Sequence, residues 1–172
     1  MNFPEGILDC FAKAEDNIRS QRWYDQDWSV CSGLWSTERY GETVVLRLTR
    51  KGWCSVFPIS VDDGGELHYA AWVDEKLHCK SAVRFEMHLF AFPGGARNRK
   101  TDFTEAFRAE NEERIRAFGF HDTKRGPAVP YGGTYKYADA DDLEKFLVND
   151  LSNFAGLKES IDRHLKLSAP RT

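Results

Sequence analysis

The residues best placed to do chemistry are three histidines, His68, His78 and His88, which recur ten positions apart in LHY, LHC and MHL. His88 belongs to the stretch VRFEMHLFAF at positions 83–92, where Val83, Phe85, Met87 and Leu89 alternate with Arg84, Glu86 and His88. Alternation of this kind is the period of a β-strand with one apolar and one polar face. Neutral imidazole and carboxylate suit zinc or a similar divalent ion, so His68, Glu86 and His88 form a candidate metal set. Glu86 and His88 are also a candidate acid–base pair sharing a proton. Their spacing argues against both readings, because residues two apart on one strand stand about 7 Å apart and His78 falls far along the ladder. The expected state of this polar face is therefore solvated, with cross-strand pairs such as Glu66–Arg84 or His68–Glu86.

A second constellation is Asp74-Glu75-Lys76, an acid-x-Lys triplet at the end of an apolar run, with Asp62 and Asp63 upstream. In metal-dependent nucleases separated acids hold the ion, and a lysine supports the attacking water or the transition-state charge. Such a triplet needs to lie inside a strand, whereas DEK here reads as a hairpin tip. Asp74 and Lys76 thus remain a minor catalytic alternative to Glu86 and His88. GGARNRK has neither the Walker nor the dinucleotide glycine spacing, and no G-x-S-x-G occurs, so no cofactor is expected.

Binding surfaces are easier to find. Trp72, Phe90 and Phe92 share the parity of the polar residues, which makes an aromatic-rimmed groove on that face, or one partly covered by a helix. Arg97, Arg99 and Lys100 precede a helix, Lys124 and Arg125 lie in a later loop, and Arg47, Arg50 and Lys51 end a strand. Brought to one side, these cations would contact nucleic acid through its phosphates. Trp23, Tyr24, Trp28 and Trp35 lie within fourteen residues and are either core or interface anchors.

The elements that must position these residues follow from the hydrophobic period. A helix is expected from Pro4 to about Ser20, with Ile7, Leu8, Phe11 and Ile18 on one stripe. Strand-like runs follow at 28–36, 42–50, 52–60, 66–74 and 77–92, punctuated by glycines and acidic turns, and a short TYKYAD strand comes later. Between them Asp102 and Glu105 make a capping box for a helix from Thr101, which Gly119 stops. Asp139, Asp141 and Asp142 open a final helical region to about Leu165, with a break near Gly156. In an even-sum β-hairpin register, Leu67, Tyr69, Ala71, Val73, Cys79, Val83, Phe85, Met87 and Leu89 make one core face under the helices. A one-residue slip would bury the charges instead.

The predicted fold is α+β: an N-terminal helix, an antiparallel meander of five or six strands, and two C-terminal helical segments packed on one face. All 172 residues fit one domain. With 24 basic and 27 acidic side chains the net charge is −3, which suits neither a dedicated duplex binder nor an acidic mimic of nucleic acid. Cys10, Cys31, Cys54 and Cys79 never form C-x-x-C, the N-terminus has no signal-like apolar stretch, and no segment reaches the roughly 20 apolar residues of a membrane span. Reduced thiols in the cytoplasm are the expectation. The function expected is a small non-catalytic binding or regulatory module acting through a protein partner. A metal-assisted hydrolase or nuclease and an auxiliary nucleic-acid binder are the alternatives, and an open sheet edge or the aromatic groove offers a homodimer contact.

Overall fold

The computed structural model describes residues 1–38, 41–63, 65–90, 97–119 and 126–167. Helix α1 (Glu5–Arg19) leads into strands β1 (Trp28–Thr37), β2 (Gly41–Arg50) and β3 (Leu67–Asp74). A single helical turn, α2 (Glu75–His78), joins β3 to β4 (Ala82–Leu89). Helix α3 (Arg97–Ala117), β5 (Gly132–Lys136), α4 (Ala140–Ala155) and α5 (Lys158–Leu167) complete the order. The five strands form one antiparallel sheet in sequence order, β1-β2-β3-β4-β5. The α+β meander with an N-terminal helix and two C-terminal helices is thus present.

The first face of the sheet is the core. Val44, Leu46 and Leu48 of β2, Leu67, Tyr69, Ala71 and Val73 of β3, and Val83, Phe85, Met87 and Leu89 of β4 are all buried with α1, α4 and α5. Each such side chain contributes about 1.5–3 kcal/mol, so the parity of β3 and β4 is strongly fixed. In α1, Ile7, Cys10, Phe11, Ala14 and Ile18 supply the facing stripe. Asp139 caps α4 by accepting from the Asp142 N–H, and the helix closes at Gly156 where the break was expected. Trp23, Trp28, Trp53 and Phe154 pack edge-on in a chain with centroid spacings of 5.4, 5.5 and 5.6 Å, which ties β1 and the α4 helix together.

Helix α1 also shields part of the outer edge of β1. Glu15 accepts from the Ser32 N–H at 2.6 Å, and Arg19 donates to the Val30 carbonyl at 3.0 Å. Side chains thereby occupy main-chain groups that an edge strand would otherwise offer to another strand.

Three expectations change. Residues 52–60 form no strand, because Gly52 turns at φ +90°, the Trp53 N–H closes on Arg50 O, and β3 fills the ladder beside β2. Helix α3 starts at Arg97, so Asp102 and Glu105 are exposed interior positions instead of a cap; Arg97, Arg99 and Lys100 are good helix formers and extend it. Gly119, at φ +79°, still ends the helix. Cys79 lies outside the strands and is exposed.

Glycine fixes the approach of β5 to β4. A Cβ on Gly132 would sit 2.5 Å from the Phe85 carbonyl and 2.6 Å from Glu86 Cγ. Gly132→Ala is expected to cost about 1–3 kcal/mol by pushing the strands apart. Hydrogen exchange should quicken at the Met87 amide, which donates to Tyr131 O at 2.9 Å.

Candidate functional site

The second face of the sheet carries the polar residues, and the structure buries them. Of the buried polar side chains, Ser29, Thr43, Arg47, Thr49, His68 and Glu86 all come from this face. His68 is 1% exposed and Glu86 3% exposed, so the expected solvated face is corrected to an interior one. Part of the cover is the segment 51–63. Val61 sits so close over Gly33 that a Cβ there would lie 2.7 Å from Val61 Cγ2, and the Ile59 N–H donates to Ser29 Oγ at 3.2 Å. Glu66 is anchored back to this segment by Ser55 N–H and Oγ at 2.7 and 2.5 Å. The cross-strand partner of Arg84 is accordingly Trp72, not Glu66.

The even-sum register is the one observed, and it sets His68 directly opposite His88. His88 Nδ1 lies 3.2 Å from His68 Nε2, and His88 Nε2 lies 2.9 Å from Glu86 Oε2. His68 Nδ1 lies 3.2 Å from the Gly65 carbonyl. His68 and Glu86 thus meet through His88 and not as a direct pair.

The two ends of this chain determine its protons. A carbonyl oxygen only accepts, so His68 Nδ1 carries a hydrogen and its Nε2 presents a lone pair to His88. His88 Nδ1 must then donate, and the His88–Glu86 link needs a further proton between Nε2 and the carboxylate. Three links require three protons, one more than two neutral imidazoles beside a carboxylate hold. That extra proton lies in the His88–Glu86 contact, which joins a half-buried imidazole to a buried carboxylate.

His68 itself stays neutral. Burial first, then the charges of His88 and Arg47, pushes its pKa well below the usual histidine value. Unfolded histidine binds a proton near pH 6.5, whereas folded His68 refuses one until the pH is lower. Its contribution to stability is therefore present above about pH 6.5 and is lost as pH falls toward the folded value. Unfolding free energies from urea titrations across that fall should decline by about 1.4 kcal/mol per pH unit more in the wild type than in His68→Gln.

Every ring nitrogen of the pair is thus engaged within the network. The imidazoles face one another instead of converging on a shared point, and among the described residues no three His, Cys, Asp or Glu groups are arranged to hold a metal ion. The Asp74–Lys76 triplet is likewise used locally. Asp74 ends β3 and its side chain accepts from the Leu77 N–H at 2.7 Å, which caps the α2 turn containing Lys76. His78 stands apart at the end of that turn, 5.6 Å from the Phe3 ring, beside a cleft of about 570 Å³ lined by Asp9, Lys13, Asp141 and Glu144.

Aromatic rings border the network. The His88 ring lies 5.7 Å from Trp72 and 4.7 Å from Phe90, and Phe90 also meets His68 at 5.4 Å. Phe90 is 56% exposed, while Trp72 and His88 are half-buried. Lys100 donates its ammonium to the Phe90 carbonyl, which ties the start of α3 to this rim. Arg99 is half-buried, and among the described residues its Nη1 is enclosed without a hydrogen-bond partner. Arg97 lies in the first turn of α3, and Phe92, Lys124 and Arg125 lie outside the described residues.

Sequence reasoning placed Arg47 among surface cations, but it points into the second face. Its signal was a single charge inside the apolar run VVLRL. The four cysteines are free, and burial pushes the Cys10 and Cys31 thiols up to about 11, which disfavours the reactive thiolate at neutral pH. Among the described residues no helix is long and apolar enough to cross a membrane. No family model matches the chain, and no curated protein or solved structure matches it.

Proposed function

We propose that this chain is a non-catalytic binding module that meets a protein partner through the aromatic rim of Trp72, His88 and Phe90. The observation that carries the reading is the saturation of the histidine network beside an exposed aromatic. A general base or a metal ligand needs a free nitrogen lone pair; His68 Nε2 spends its lone pair on His88, and the other ring nitrogens hold protons toward Gly65, His68 and Glu86. Phe90, in contrast, holds much of its ring in solvent while the imidazoles and Trp72 fix the surface beneath it. Large rings on a rigid support are the residues in which interface energy concentrates. Four free thiols support a reducing, cytoplasmic setting.

The test is a photo-reactive phenylalanine at position 90 in the full chain, irradiated in extract of the native cells. The reading expects one discrete protein adduct that Trp72→Ala abolishes. A smear of adducts, or an adduct indifferent to Trp72→Ala, counts against it. Stoichiometric zinc or manganese binding that His88→Ala removes would instead favour a metal-assisted hydrolase.

A further inference from the structure

A guanidinium offers five N–H donors and accepts nothing, so a buried arginine normally shows where its donors go. Arg47 does not. It is 8% exposed, and among the described residues its Nε–H is buried without an acceptor. The guanidinium carbon sits 5.5 Å from the centre of the Trp35 ring. Trp35 stands opposite Thr43, four residues back along β2, so the Arg47 side chain must run along the strand past Val45. Trp72 stands opposite Val45 on the next strand. The positive group therefore reaches along the sheet to the Trp35 indole. On the other side Ala70 separates Arg47 from Glu86 in one cross-strand row, and Glu86 Oε2 is engaged by His88 Nε2 at 2.9 Å. Asp62 and Asp63 act on Arg47 through space, and Asp63 Oδ1 is committed to the Gly65 N–H at 2.8 Å.

We propose that Arg47 is the anchor of a small-molecule site that takes a monocarboxylate with an apolar or aromatic body. A planar carboxylate matches the guanidinium fork with two parallel hydrogen bonds. The nearby Asp62 and Asp63 penalise a second negative charge, which selects a carboxylate over a phosphate dianion. The indole of Trp35 suits an apolar body next to that carboxylate.

The probe is benzoate, added to the full-length protein at constant ionic strength against chloride, with inorganic phosphate as the second arm. Benzoate is expected to raise the unfolding midpoint saturably, by about 5–10 °C at a hundredfold excess over Kd, and to shift the Arg47 Nε–H resonance. Phosphate should do neither. Arg47→Met should abolish the benzoate response without lowering the ligand-free midpoint, and Arg47→Lys, which keeps charge but loses the fork, should weaken it at least tenfold. No saturable benzoate response in the wild type, a response that survives Arg47→Met, or a stronger response to phosphate would each overturn the assignment. Phe90→Ala should leave benzoate binding intact, so failure of this site and failure of the protein-partner reading are separate results.

Discussion

Asp150→Asn should stabilise the protein increasingly as the pH is raised, and should do almost nothing near pH 4. Asp150 sits on the buried side of α4, 2% exposed, and among the described residues neither carboxyl oxygen has a hydrogen-bond partner. Burial pushes its pKa well above the ordinary aspartate value. In the unfolded chain the same carboxyl ionises near pH 3.9. Below that pH both states are protonated and the group favours neither. Above it, ionisation stabilises only the unfolded chain, so stability drains away as pH rises until the folded pKa is reached. Within that window the loss is about 1.4 kcal/mol per pH unit, and asparagine, similar in size but never ionised, removes it. Urea unfolding of both proteins from pH 4 to 8 measures the difference directly. Parallel stability curves for wild type and Asp150→Asn would mean that the carboxyl finds a partner in solution.

Glu86→Ala should be the most damaging single change on the second face. It removes the acceptor at one end of the chain and leaves the His88 proton facing a buried space. Breaking one side of a buried ionic contact costs about 3–5 kcal/mol, which lowers the unfolding midpoint by about 10 °C in a chain of this size. Glu86→Gln keeps a carbonyl oxygen where His88 Nε2 needs one, so its loss should be less than half as large. Equal losses in the two variants would show that the network contributes through packing alone. The double variant Glu86→Ala/His88→Ala should lose less than the sum of its single changes, because the second removal takes away the group left unpaired by the first.

The strands that carry this network were legible because one face of each is so apolar that only one register buries it. Leu67, Tyr69, Val83, Phe85, Met87 and Leu89 could not have faced water, and their parity carried His68, Glu86 and His88 to the opposite side together. The break at Gly156 and the cap at Asp139 were readable for a similar reason, since both are local chemistry. The wetness of the second face was not readable. Alternating polar residues look the same whether water or a loop covers them, and the segment 51–63 carries Trp53 and Val56 in a pattern that imitates a strand. Trp53 instead turns inward and donates from Nε1 to Asp162 Oδ1 at 2.6 Å, a contact 109 positions away that no local period encodes. Arg47 was misplaced for the same reason: its burial depends on Trp35 and on the loop, not on its neighbours in β2.

The nitrogen states of His68 and His88 test the central claim most directly. Long-range ¹⁵N–¹H correlation spectra at neutral pH, repeated with one equivalent of zinc, report which ring nitrogens carry hydrogen. A closed, proton-sharing chain predicts a neutral His68 with hydrogen on Nδ1 only, a His88 with hydrogen on Nδ1 and a shared proton at Nε2, and no change on adding zinc. His68 with hydrogen on Nε2, or loss of both signals at one equivalent of zinc, would contradict the account and make this face a metal centre.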